Sequence, residues 1–254
     1  MIRTDQIPWV EYEARLKESP ILFLPVGAHE QHGPHLPMGS DAIFATRMAE
    51  SLAERLGGMV LPTLSYGYKS QARSGGGQTF PGTTSLDGQT LMNMTTDILR
   101  ELSRHGVEKL VVLDGHYENQ WFLTEGIELA QRECALNRHA MKVVRTEYWD
   151  FCPQSVLDAV FDGDFPGYDL EHAALIETSM MLYWYPELVS EDKIPVDGPA
   201  RFDAFDHYPQ DGAGVPPSGV LAPAQGASAE KGRMIIEGTL NALETSLRKI
   251  YEVA

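Results

Sequence analysis

The 254-residue sequence predicts an α/β protein, a three-layer α/β/α sandwich around a mostly parallel central sheet. Three observations carry the prediction. Short apolar runs alternate with helical patterns along the chain. The residues able to do chemistry follow the ends of those runs, where open parallel sheets bind their ligands. At 43% hydrophobic residues the chain can also bury one sizeable core, so a single domain over residues 1–254 is expected.

The first run, ILFLPVGA (21–28), is apolar throughout, as a strand covered on both faces must be. DAIFATRMAESLAERLG (41–57) then repeats apolar residues at three- and four-residue spacing and stops on glycine. MVLPTLSYG (59–67) reads as a second strand, and SLDGQTLMNMTTDILRELSRHG (85–106) as a helix with a Ser/Asp start and a glycine stop. KLVVLDGH (109–116) gives the third strand, ENQWFLTEGIELAQRECALNRHA (118–140) the third helix, and KVVRTEYW (142–149) the fourth strand. EHAALIETSMMLYWY (171–185) and the amphipathic 229–253 complete the helices. Residues 185–225, rich in proline, glycine and aspartate and without periodicity, predict a long loop on the surface or against a neighbouring subunit.

Composition removes several roles. Lys+Arg 20 against Asp+Glu 36 gives a net charge of -16, which repels phosphate backbones and anionic membrane surfaces. No run approaches the roughly 20 apolar residues that span a bilayer. The N-terminus lacks the pattern of a secretion signal. Cys134 and Cys152 have no CxxC pairing and read as reduced thiols, so a cytoplasmic location is expected.

The chemistry lies in AHEQHGPHLPMGSD (28–41) and DGHYEN (114–119). In extended chain, residues two apart point to the same side, which pairs Glu30 with His32 and His116 with Glu118. Asp41, at the start of the following helix, can close the group. These oxygen and nitrogen donors, with no cysteine, suit one or two divalent ions such as Zn²⁺, Mn²⁺ or Mg²⁺, and a carboxylate shared by two ions would explain the excess of acids. Each residue alone has an ordinary alternative: Asp41 with Ser40 as a helix cap, His32 bonded to loop backbone, His116 capping the next helix. His29 and His35 read as supporting or structural residues. Gly75–Gly77 is not followed by the GK[ST] of a phosphate loop, so with Ser74 it reads as pocket lining. Trp149 and Tyr168 offer flat walls for a planar substrate or are ordinary core aromatics. His172, with Glu177 five residues on, is either a proton shuttle or a structural pair.

With these residues in view, the sequence resembles the creatininase family. The strand-end PVGAxEQHGPHLP…D, GHxxN and FPGT are all present, together with YGYKSQ, SGGG, YWDF and the EH…ETS segment, in order along essentially the whole chain. The resemblance implies two divalent ions, Zn and/or Mn, with Asp41 bridging, Glu30 and His116 on one ion and His32 and Glu118 on the other. It implies substrate contacts at Ser74, Tyr117, Trp149, Tyr168, Asp169 and His172, and catalytic roles for His172, Glu118 and Glu177. The implied reaction is reversible opening of the cyclic amide of creatinine through a metal-bridging hydroxide and a histidine proton shuttle. A homo-oligomer, a hexamer, is implied as well. Two departures stand out: Tyr168 replaces a tryptophan wall, and Asp114 replaces an asparagine and is expected to support its neighbours from outside the ligand set. Tyr168 keeps open a different cyclic amide, a formamide or a cyclic ketone as substrate. A metal-binding protein without catalysis is the alternative from another class, although structural zinc sites are usually closed and often cysteine-rich.

Overall fold

A computed structural model describes residues 2–137 and 141–253. Its sheet has five strands: β1 (Ile2–Arg3), β2 (Ile21–Val26), β3 (Met59–Val60), β4 (Lys109–Asp114) and β5 (Lys142–Glu147). They lie in the order β1-β3-β2-β4-β5 and every named pair is parallel. The helices are α1 (Trp9–Leu16), α2 (Ser40–Leu56), α3 (Ala72–Gly75), α4 (Gly88–Arg104), α5 (Gln120–Leu136), α6 (Gln154–Phe161), α7 (Leu175–Trp184) and α8 (Ala229–Tyr251).

Side chains alternate across a strand, and here the alternation sorts the protein into two cores. Ile21 and Phe23 of β2 and Val111 and Leu113 of β4 pack with α2, α7 and α8. Leu22, Leu24, Leu110 and Val112 point the other way, onto α4 and α5. All eight are buried, each contributing about 1.5–3 kcal/mol by leaving water. Covering both faces produces the three layers and explains why these strands read as unbroken apolar runs.

Register places the chemistry. Val26 pairs with Asp114, and Asp114 with Glu147, so β2, β4 and β5 end level. The segments beginning at Gly27, Gly115 and Tyr148 therefore leave the sheet along one edge.

The boundaries differ from the sequence reading where backbone hydrogen bonding decides them. The strand expected at 59–67 is regular only over Met59–Val60, with a bridge from Val26 to Leu64 beyond it. Pro62 lacks the N–H that a continuous ladder needs. The helix expected from 171 starts at Leu175, because Ala173 sits at φ 53 and Ala174 is extended. The third helix ends at Leu136, and the last residues expected in it, 138–140, lie outside the described residues. Helices α1 and α6, eight residues each, were too short to show a decisive period. Residues 185–225 form a loop with only short 3₁₀ turns, as expected. Both cysteines are free and buried.

Candidate metal and substrate site

Two glycines let the strand ends press against the start of α2. A Cβ on Gly27 would lie 2.4 Å from the backbone nitrogen of Ala42, and one on Gly115 would lie 2.4 Å from the carbonyl of Asp41. This close approach sets Asp41 between the loops that follow β2 and β4. Asp41 is not the helix cap: Gly39 holds that position without a side-chain bond, and the Ser40 hydroxyl donates to the Pro37 carbonyl.

Around Asp41 the donors converge. Asp41 Oδ1 is 2.9 Å from His32 Nε2, and Asp41 Oδ2 is 3.1 Å from His116 Nδ1. Glu30 Oε1 is 3.1 Å from the same His116 nitrogen, and Glu177 Oε2 is 3.7 Å from His32 Nε2. All five residues are buried. Three groups have the compactness to hold an ion: Glu30 with Asp41 and His116, His32 with Asp41 and Glu177, and Glu30 with His32 and His172.

The tautomers follow from the outer contacts. His116 Nε2 faces the Tyr68 carbonyl at 3.0 Å and His32 Nδ1 faces the Glu30 carbonyl at 3.2 Å. A carbonyl only accepts, so those ring nitrogens carry the hydrogens and the opposite nitrogens aim lone pairs at the acids. Glu30 Oε2, His32 Nε2 and Asp41 Oδ2 are buried without a hydrogen-bond partner. Lone pairs meeting lone pairs in a water-poor cluster are what a cation repairs, and the donor set suits one. The chain's own charges respond in the same sense. Burial works against a charged His32 or His116, yet the acids beside them, Asp41 and Glu177 for one and Glu30 and Glu118 for the other, hold both rings well above the usual histidine range.

The family resemblance implied Glu118 beside His32; in the structure the carboxylate beside His32 is that of Glu177. After His116 the chain enters a 3₁₀ turn, Tyr117–Asn119. Spacing two no longer shares a side in such a turn. Glu118 meets the other edge of His116, 3.3 Å from Nε2, while its Oε1 accepts from Gln71 N at 2.8 Å and Ser74 Oγ at 2.7 Å. Glu177 comes from the first turn of α7, far away in sequence. Its carboxylate accepts from Ala173 N at 2.6 Å, while the His172 ring nitrogens face Gln31 O and Glu30.

His172 is buried beside the cluster, with Nε2 donating to the Gln31 carbonyl at 2.8 Å and Nδ1 3.7 Å from Glu30 Oε1. Burial outweighs the pull of Glu30 and lowers its pKa to about 4, leaving a neutral ring with its Nδ1 lone pair toward the acids. The Gln31 amide, which sequence reasoning passed over, ties three segments together: it donates to Gly75 O and Gly219 O and accepts from Gly33 N. His35 instead bonds Thr178, and His29 lies against Tyr66, both outside the cluster.

A pocket of about 430 Å³ opens on the cluster, with Trp149, Tyr168, Ser74, Tyr117, Glu171 and His172 among its walls. Asp169 is not among them; it lines an adjoining groove that shares Ser74 and Tyr117 with the pocket. Glu171 was also missed. Its pKa is pushed up to about 8, chiefly by burial and further by Glu177, against a bond from Ile176 N. Asp114 supports the site from below, accepting from His116 N and Asn119 Nδ2.

Comparison with known proteins places this geometry. A family model described as creatininase, creatinine amidohydrolase, matches residues 5–247. A creatinine amidohydrolase of Pseudomonas putida is 46% identical over 97% of this chain and 96% of its own. A crystal structure of a creatinine amidohydrolase superposes with a TM-score of 0.97 at 44% identity, covering 100% of this chain and 99% of that one. A mutant creatininase complexed with creatine gives 0.95 at 45% identity, and a mutant of the Zn–Zn type gives 0.96 at 44%, each covering 98% of both chains.

Proposed function

This chain belongs to the creatininase family, and from that premise we propose that it opens the cyclic amide of creatinine to creatine, reversibly. The observation that carries the reading is the pocket itself: a buried acid–histidine cluster forms one side and flat aromatic walls another. A closed structural metal site would have no such opening.

Glu30, Asp41 and His116 would hold one divalent ion and His32, Asp41 and Glu177 a second. Bound there, Zn²⁺ or Mn²⁺ supplies a water of lowered pKa and polarises the lactam carbonyl. The chain's own residues do the rest. Trp149 and Tyr168 take the planar ring between apolar faces. Hydrolysis puts a hydroxyl on the carbonyl carbon and a proton on the ring nitrogen as the C–N bond breaks. His172 Nδ1, neutral at rest, takes that proton from water and delivers it to the nitrogen; its Nε2–H stays on Gln31. Glu118, anchored through Oε1, borders the pocket with Oε2 as a second proton acceptor.

Tyr168 favours one second reading within the family. A ring smaller than tryptophan leaves room for a different cyclic substrate, such as another cyclic amide, a formamide or a cyclic ketone. The assembly is a homo-oligomer, by family resemblance a hexamer, acting in the cytoplasm as one domain. Supporting this, Trp121 and Tyr208 are exposed along the pocket's outer groove, as subunit-facing residues are in an isolated chain. No described helix is long and apolar enough to cross a membrane.

The test is creatine formation from creatinine by purified protein, followed by NMR with Mn²⁺ or Zn²⁺ and with chelator. Metal-dependent conversion in both directions is expected. Absence of conversion by protein that holds two metals moves the assignment to another cyclic substrate.

A further inference from the structure

Glu171 lines the pocket but belongs to neither the ion-holding groups nor the proton path. Its two oxygens have different surroundings. Oε2 accepts from Ile176 N at 2.9 Å, which ties it to the first turn of α7. Oε1 is buried and has no hydrogen-bond partner. A helix-anchoring role accounts for Oε2 alone. Leaving the other oxygen of a buried carboxyl unmatched costs about 1–3 kcal/mol unless a ligand supplies a donor.

The substrate has a donor to place. The aromatic walls take the two faces of the ring, so recognition falls to groups in its plane. The scissile amide must lie toward His172 and the acid cluster. What remains is the exocyclic amino group, which requires an acceptor. The Ser74 hydroxyl is committed to Glu118, and Glu118 Oε1 already accepts two bonds. Glu171 lines the same pocket, and its Oε1 is buried with no hydrogen-bond partner.

We infer that Glu171 is a specificity-determining residue, whose Oε1 accepts an N–H from the exocyclic amino group and so selects cyclic acylguanidines over their carbonyl analogues. The inference rests on the creatinine reading and deepens it.

The Ile176 N–H makes the test directional. In Glu171→Gln that N–H requires the amide oxygen, which forces the NH₂ group into the place of Oε1. An acceptor becomes a donor without loss of the helix anchor. Creatinine then meets donor against donor, while 1-methylhydantoin, with a carbonyl where creatinine has the amino group, gains a partner.

Metal-loaded wild type, Glu171→Gln and Glu171→Asp are assayed for kcat/KM on both compounds. Binding of N-methylguanidinium and N-methylurea to the same proteins is measured by calorimetry. The creatinine-to-hydantoin ratio should fall on the order of a hundredfold in Glu171→Gln, mostly through KM, with a parallel fall in the guanidinium-to-urea ratio. Glu171→Asp, which withdraws the acceptor without adding a donor, should lower both ratios by about tenfold; it decides the matter if the glutamine variant does not fold. Equal losses on both compounds, or unchanged ratios, overturn the inference and leave Glu171 as a helix anchor. If wild type does not open creatinine, the proposed function fails while the binding ratios still judge Glu171.

Discussion

At the scale of single residues, hydrogen bonds to backbone carbonyls decide which histidine nitrogen is available. His116 offers Nδ1 and His32 offers Nε2 because their other nitrogens hold hydrogens on Tyr68 O and Glu30 O. The same logic separates Glu177 from Glu118, whose oxygens have different partners. Glu177→Gln should lower metal content by about one ion per chain, whereas Glu118→Gln should leave metal content unchanged and lose turnover; elemental analysis beside the activity assay distinguishes them. His172→Ala should abolish turnover, by about a hundredfold or more, with metal content intact. Metal loss in that variant would remove its proton role. Asp114 makes a pH prediction. Burial, with Glu147 adding to it, raises its pKa from 3.8 to about 7. The folded protein therefore binds more protons than the unfolded chain between those values, and this residue's contribution to stability falls as pH rises from about 4 to 7. Asp114→Asn should remove that fall. Its stability advantage over wild type should grow across the window to at most about 4 kcal/mol, then level off. Urea unfolding of chelator-treated protein at pH 5 and pH 8 measures it, and an advantage equal at both values would contradict the cause given.

At the scale of elements, the site is a junction of two strand ends with two helix starts. β2 and β4 bring Glu30, His32 and His116, α2 brings Asp41, and α7 brings Glu177. The junction closes only because Gly27 and Gly115 lack side chains. Gly115→Ala would set a methyl 2.4 Å from the Asp41 carbonyl, and backbone, not a flexible side chain, would have to move. The cost should be about 1–3 kcal/mol. Because the shift moves α2, metal affinity should fall more steeply than stability, which titration calorimetry and a thermal melt read together.

At the scale of the whole molecule, a net charge of -16 is partly stored at one place, the acid cluster at the sheet edge. Cations bound there would join α2 and α7 to the strand ends and stabilise the folded chain by mass action. At a free concentration about 1,000 times Kd the gain is about 4 kcal/mol per site. For a chain of this length, that is a rise in Tm of about 8 °C or more. Melting with and without chelator checks it, and equal Tm values would mean the cluster holds no structural load.

The amino-acid sequence determined the layers, the parallel sheet and four members of the acid–histidine cluster, Glu30, His32, Asp41 and His116. Those features are local: unbroken apolar runs, glycine stops, and acid–histidine spacing in extended chain, each readable within a few residues. It also showed Trp149, Tyr168 and His172 as pocket candidates. Tertiary structure alone decided the rest. Glu177 reaches the cluster because α7 packs beside α2, a contact between segments more than a hundred residues apart that no local period encodes. Glu118 meets the opposite ring edge of His116 because a 3₁₀ turn rotates the chain where extended geometry was assumed. Gln31 and Glu171 became visible only when their burial and hydrogen-bond partners were known, since an amide or a carboxylate in sequence carries no mark of what it will face. Sequence fixes which donors a chain possesses; the folded backbone chooses which lone pairs converge.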